Sequence, residues 1–255
     1  MNESEKKAFF EQTLVLARKG WGNTHPNPMV GALIVEGGQI VAEGYHPKAG
    51  SPHAEVEAIR ALDRASQDGA SIFVSLEPCS TTGRTPPCVQ GILNAGIKRV
   101  YIGATDPNPA HAGRGIDILR DAGVQVEMAD EEFQTRATRL NLIFNHNITT
   151  GNALVALKLA ESANGMLAEV KGQPSRITES EARADMMAWR RLFPAICVGS
   201  GTVLSDNPTL TARFPEETFC PVRLVLDASL STLEESVFPR NLYTDEYSSQ
   251  TKVLT

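Results

Sequence analysis

Ser71-Ile-Phe-Val-Ser-Leu-Glu-Pro-Cys79 runs on through Ser-Thr-Thr-Gly-Arg-Thr-Pro-Pro-Cys88 and Val-Gln-Gly-Ile-Leu-Asn-Ala-Gly96, and it carries the strongest structural signal in the chain. Its first six residues make a short apolar run of the kind buried in a sheet, so residues 71–76 are predicted as a strand. Glu77-Pro78-Cys79 then falls at the carboxyl end of that strand. Pro86-Pro87 marks the start of a helix that runs towards Gly96. Cys88 therefore stands in a first helical turn, where the positive end of the helix favours a thiolate. Ligands of open α/β sheets bind at the carboxyl ends of strands, which is where this reading puts both cysteines.

Outward from this stretch, apolar runs alternate with helical segments. Strands are expected at residues 30–35, 40–42, 100–104 and 124–128, with helices over 54–62 and near 116–122, and an amphipathic stretch over 8–18. That is a layered α/β pattern. Residues 131–147 read as one helix, and Thr149-Thr-Gly-Asn152 reads as a boundary. A second α/β unit is expected to open with a strand over 153–159. The expected domains are therefore 1–148 and 149–255, which suits 255 residues, a length above that of a typical single domain.

His53-Ala-Glu55 joins the two cysteines in a pattern of metal-binding type. One imidazole and two thiolates suit a tetrahedral zinc with its fourth position left to water, the arrangement of a catalytic site. Cys197 and Cys220 lie far downstream, so nothing local closes the shell. Ser51-Pro52 reads as a helix N-cap followed by proline at the first helical position, which sets His53 in the first turn. Zinc brings the pKa of bound water towards neutrality, and a carboxylate beside it can then carry protons. In zinc deaminases that carboxylate is the glutamate of H-x-E, followed by P-C. A lone His-x-Glu is common by chance and isolated cysteines are usually small buried hydrophobes, so the argument rests on the joint pattern.

The usual deaminase motif separates its cysteines by two residues, whereas residues 80–87 intervene here. The segment Leu76 to Cys88, with His25-Pro-Asn-Pro28, His53-Ala-Glu-Val56 and Asp106-Pro-Asn-Pro109, resembles the bacterial bifunctional riboflavin biosynthesis deaminase/reductase along nearly the whole chain. The resemblance implies a cytidine-deaminase-like three-layer α/β/α domain followed by part of a dihydrofolate-reductase-like α/β domain. It implies zinc-dependent hydrolysis of 2,5-diamino-6-(5-phosphoribosylamino)pyrimidin-4(3H)-one to 5-amino-6-(5-phosphoribosylamino)uracil. It sets His53, Cys79 and Cys88 as zinc ligands, Glu55 as proton shuttle, and Asn27, His46, Arg84, Asp106 and Asn108 as substrate residues. Arg84 offers a planar fork of donors to a phosphate, Asn27 an amide to a pyrimidine edge, and Asp106 or Asn108 partners for ribose hydroxyls. Without the resemblance, Asn27, Asp106 and Asn108 read as ordinary turn builders.

The resemblance continues past the boundary into an NADPH-dependent reductase. Val198-Gly-Ser-Gly-Thr-Val203 reads as a strand ending in a glycine turn, suited to close approach by a phosphate. Ser205-Asp-Asn-Pro-Thr-Leu-Thr-Ala-Arg213 carries the match, which implies cofactor contacts from Thr202 and Asp206 and substrate contacts from Arg190, Leu210 and Arg213. Ser162-Ala-Asn-Gly165 lacks a carboxylate usual in the family, residues 174–176 depart from its pattern, and the chain stops well short of the family's usual length. Little or no NADPH oxidation is therefore expected. The alternative reading is a zinc deaminase of another small nucleobase or nucleoside, with a non-catalytic assembly domain behind it.

Composition narrows the partners. A net charge of −6 with no cluster of Lys and Arg argues against nucleic acid and for a small-molecule substrate. No apolar run is long enough to span a membrane and no signal-peptide core is present, and four cysteines make no disulfide framework, so a reducing cytoplasm is expected. An incomplete sheet edge in the second unit makes a homo-oligomer the expected state.

Overall fold

Alternation along three central strands sorts side chains onto two faces of one sheet. A computed structural model describes residues 1–81, 86–170, 172–173, 175–237 and 239–255. The chain divides into two compact units, Met1–Val155 and Ala156–Thr255. In the first, β1 (Gly31–Glu36) and β2 (Gln39–Tyr45) pair antiparallel, β1 and β3 (Ser71–Val74) pair antiparallel, and β3, β4 (Arg99–Ile102) and β5 (Gln125–Met128) run parallel. The sheet order is β2-β1-β3-β4-β5.

Ala32, Ile34, Ile72, Val74, Val100 and Ile102 point to one face. There they pack with Ala54, Ala58 and Leu62 of α2 (Ala54–Leu62), Val89 and Ile92 of α3 (Cys88–Asn94), and Ile116 and Leu119 of α4 (Arg114–Asp121). The intervening residues point the other way. Phe73 and Tyr101 stack at 4.3 Å there, beneath Phe10 of α1 (Glu3–Arg18) and Phe133 of α5 (Glu131–Leu140). Each fully buried Ile or Phe contributes about 1.5–3 kcal/mol, so this three-layer sandwich is held chiefly by its two apolar layers.

The amphipathic stretch over 8–18 lies within α1, which starts at Glu3 behind a reciprocal capping box of Asn2 and Glu5. Two local readings are corrected. His53 is itself the N-cap of α2, with extended backbone, and does not stand inside the first turn. The single helix expected over 131–147 is two, α5 and α6 (Leu142–Thr150), parted at Asn141. Asn141 accepts from Met29 N at 2.7 Å and donates to Met29 O at 2.9 Å. A long-range tie that satisfies two buried backbone groups outweighs continuing the helix.

The second unit holds α7 (Ser180–Leu192), β6 (Ala195–Gly199), α8 (Ser200–Asp206), the short antiparallel pair β7 (Ala212–Arg213) and β8 (Thr218–Phe219), then β9 (Val222–Leu226), α9 (Asn241–Thr244) and β10 (Thr251–Leu254). Its parallel sheet has the order β10-β9-β6. Val203, Leu210, Val225 and Leu242 form the small core. Arg223 is fully buried and every N–H group of its guanidinium is engaged, by Asp245, Thr251 Oγ1, Thr209 O or Leu242 O.

The strand expected over 153–159 does not form. Val155, Leu157 and Leu159 are 89%, 84% and 59% exposed, and no strand pairs with them among the described residues. An alternating apolar run becomes a strand only where a neighbour satisfies its backbone. The glycine turn expected after β6 is also absent, because α8 starts at Ser200 directly behind an extended Gly199.

Candidate active site

Strand register gathers the candidate residues of the first unit at one edge of the sheet. Gly31 at the start of β1 faces Tyr45 at the end of β2, Ala32 faces Val74 at the end of β3, and Val74 faces Ile102 at the end of β4. The segments leading into β1 and out of β2, β3 and β4 therefore meet. They carry Asn27, His46, Cys79, and Asp106 with Asn108, while α2 and α3 bring His53 and Cys88 to the same edge.

His53 Nδ1 lies 3.6 Å from Cys79 Sγ and 3.3 Å from Cys88 Sγ, and all three donor atoms fall within 4.8 Å of one another. Zinc with bonds of about 2.0 Å to nitrogen and 2.3 Å to sulfur asks for tetrahedral donors about 3.5–3.8 Å apart, so this trio fits the ion. Cys88 N donates to Cys79 Sγ at 3.3 Å, from the first turn of α3. Bonding to the Cys88 thiol, then to His53, brings Cys79 down to about 4, while the same Cys79 contact and burial hold Cys88 well above its ordinary value. Cys79 is thus a ready thiolate, and a cation at the donors would release the second proton. The Cys79 contact also raises His53.

Glu55, in the first turn of α2, is 3% exposed. Burial, reinforced by the negative Cys79 sulfur, pushes its carboxyl up to about 7. A group that gains and loses a proton near neutral pH is suited to general acid and base work.

Around this centre, His46 Nδ1 lies 3.0 Å from Pro52 O and its Nε2 lies 3.2 Å from Asn27 Nδ2. A carbonyl accepts only, so the pair of contacts requires the Nδ1–H tautomer, with Nε2 accepting from Asn27. Burial lowers the His46 pKa and so disfavours the charged ring. The Asn27 carbonyl oxygen is thereby left to other partners. The His46 and His53 rings meet edge to face at 5.4 Å, which joins this pair to the metal ligands. Asp106 accepts from Asn108 N at 2.8 Å and Asn108 accepts from Ala110 N at 3.0 Å, so both side chains build the turns that Asp-Pro-Asn-Pro suggested. Asp106 is half-buried, which raises its pKa, and it feels the charge of Cys79. Arg84 lies outside the described residues.

In the second unit, Arg190 donates to Thr211 O at 2.8 Å, and Arg213 donates to Thr209 Oγ1 at 2.8 Å and Thr211 Oγ1 at 3.0 Å. Burial, then repulsion from Arg213, lowers the Arg190 pKa. Two cations held around one short segment form an arrangement that an anion would relieve. Leu210 is part of the core, with its backbone in the left-handed region at φ 55°. Its side chain packs inward with Val203, Val225 and Leu242. Thr202 and Asp206 lie exposed one turn apart on α8. One buried carboxylate was passed over in the sequence: Glu77, two residues before Cys79. Its signal was its place between a buried strand and a ligand, where solvation of a charge must come from the protein.

Residues 3–104 match the cytidine and deoxycytidylate deaminase zinc-binding region, and residues 153–253 match the RibD C-terminal domain. The riboflavin biosynthesis protein RibD of Bacillus amyloliquefaciens is 43% identical over 237 residues, which cover 93% of this chain and 62% of that protein. The chain spans about three fifths of the length of the curated relatives it matches. Acinetobacter baumannii RibD matches at TM-score 0.82 and 37% identity, over 98% of this chain and 69% of that one. A diaminohydroxyphosphoribosylaminopyrimidine deaminase/5-amino-6-(5-phosphoribosylamino)uracil reductase from Thermotoga maritima matches at TM-score 0.86 and 36% identity, with the same two coverages. No helix among the described residues is long and apolar enough to cross a membrane.

Proposed function

This chain belongs to the RibD family of riboflavin biosynthesis proteins, and we propose that its first domain, residues 1–148, deaminates 2,5-diamino-6-(5-phosphoribosylamino)pyrimidin-4(3H)-one to 5-amino-6-(5-phosphoribosylamino)uracil. The observation that carries this reading is the buried Glu55 carboxyl, poised at about 7 beside three donor atoms within 4.8 Å of one another. A zinc held by His53, Cys79 and Cys88 would supply water activated at neutral pH. Glu55 takes the proton that water gives up and delivers it to the departing amino group, so that water and the amine become a ring carbonyl and ammonia. Asn27, its amide oriented by His46, presents its carbonyl oxygen to the pyrimidine edge. Asp106 and Asn108 hold the ribosyl part, and Arg84 answers the phosphate charge.

For the second domain, residues 149–255, the pair Arg190 and Arg213 supports a site for the phosphoribosyl product, and the exposed face of α8 with Thr202 and Asp206 supports contact with NADPH. The unpaired 153–159 segment and the amide of Asn164 in place of a carboxylate favour little or no reduction by this chain. Thiols that must stay reduced to bind metal suit the cytoplasm. Self-association through the outer strands β6 and β10 is expected, to be read by light scattering.

One paired assay tests the reading: ammonia release and NADPH loss followed on the same zinc-loaded sample. Ammonia without NADPH loss is the expected result. Absence of ammonia would refute the deaminase reading, and robust NADPH oxidation would refute the expectation for the second domain.

A further inference from the structure

Glu77 has no business being buried unless something replaces its water. Its partners are four backbone N–H groups, two in the connection between β4 and α4 and two at the start of α4. Oε2 accepts from Asp106 N at 3.1 Å and Gly113 N at 3.0 Å. Oε1 accepts from Gly115 N at 2.9 Å and Ile116 N at 3.4 Å. The last two belong to the first turn of α4, whose own N-cap, Gly113, has no side chain to offer. A carboxylate from another element therefore caps the helix, where the positive end of its dipole stabilises the charge. Gly113 adopts φ 80°, and a Cβ on Gly115 would stand 2.2 Å from Pro78 O, so the connection is seated directly on the Glu77-Pro78 backbone. Glu77 N also donates to Ala104 O at 2.8 Å.

One carboxylate thus clamps both ends of the segment that carries Asp106 and Asn108, two residues from the ligand Cys79. We propose that Glu77 is a positioning residue, which sets the distance between the metal centre and the loop that holds the phosphoribosyl part of the substrate. The proposal rests on the deaminase reading above, in which Asp106 and Asn108 contact substrate. Loosening the clamp leaves the zinc ligands and Glu55 in place and lets the substrate loop drift. The cost should fall on binding and leave the chemical step nearly intact.

The test is Glu77→Gln in the full zinc-loaded chain, with Gly115→Ala, which presses the same junction without changing charge, as the second variant. Three quantities are measured: zinc per chain, amide hydrogen exchange over residues 106–116, and KM and kcat for ammonia release. The amide nitrogen of glutamine would face two N–H donors it cannot bond, and the expected result is unchanged zinc with exchange in this segment and KM both raised at least about tenfold, the effect of losing even one charge-assisted hydrogen bond. The kcat should stay within about threefold. Gly115→Ala should move exchange and KM in the same direction, and it decides the matter if Glu77→Gln fails to fold. Unchanged exchange overturns the clamp; faster exchange with unchanged KM overturns its link to substrate; loss of zinc reassigns Glu77 to the metal centre and also overturns it. If the unsubstituted chain releases no ammonia, the deaminase reading fails and exchange alone judges the clamp.

Discussion

Replacing Glu55 with glutamine should remove activity and at the same time stabilise the metal-free protein, in a manner that depends on pH. Glu55 is buried, and its carboxyl lies at about 7 in the fold against 4.5 when exposed. The folded state therefore holds the Glu55 proton more tightly than the unfolded state does. Below pH 4.5 the carboxyl is protonated in both states and no penalty arises. As pH rises from 4.5 to 7 the unfolded chain ionises first and is favoured, and above pH 7 the penalty on folding levels off at about 3 kcal/mol. Glutamine does not ionise and avoids this cost. With zinc removed by a chelator, Glu55→Gln should match the unsubstituted protein at pH 4 and exceed it by about 3 kcal/mol at pH 8. For a unit of this size that is a rise in Tm of about 6–12 °C, read by circular dichroism. Parallel stability curves across this range would refute the account of a carboxyl strained by burial. With zinc restored, the same variant should lose ammonia release by a factor of about 10²–10⁴ and keep its metal, the loss typical of a missing general acid and base.

His53→Ala should reduce bound zinc well below that of the unsubstituted chain, measured by elemental analysis, and full metal content would show that the ligand is misassigned. Asn141→Ala strips two hydrogen bonds from the buried backbone of Met29 and should destabilise the first unit by about 1–3 kcal/mol in urea unfolding. A change below a few tenths would mean that the α5–α6 break has another cause. Arg223→Met leaves Asp245 without its ion-pair partner and Thr209 O without the Arg223 donor, while Leu242 O keeps only Thr251 Oγ1, so the second unit should lose about 3 kcal/mol or more. A variant as stable as the parent would show that the buried pair does no better than an apolar residue.

The metal centre was readable in advance because its residues are constrained twice, by chemistry and by position. His53, Glu55, Cys79 and Cys88 each sit where a strand ends or a helix begins, and those places announce themselves through prolines, glycines and apolar runs. Secondary residues were harder. Asp106 and Asn108 build turns in the structure as their types suggest, and Asp106 is connected with the centre by contacts distant in sequence, its N–H on Glu77 and the charge of Cys79. Leu210 reads as a contact residue within a matching motif, and its side chain completes a small core. The place of Glu77 between a buried strand and Cys79 hinted at burial, but what it binds was not legible, because its four partners come from residues 106–116 and none is a side chain.

Residue type and local spacing were enough to read most of the strands and helices and to single out His53, Cys79 and Cys88, whose donor atoms lie within 4.8 Å of one another, with the buried Glu55 close in sequence. Tertiary structure alone decided where helices break, which apolar runs become strands, and what a buried charge leans on. Asn141 ends a helix because Met29 needs it, residues 153–159 stay unpaired because no neighbouring strand meets them, and Glu77 is tolerated because α4 begins beside it. Each of those outcomes depends on satisfying backbone groups or charge across a long sequence separation, which local spacing does not encode.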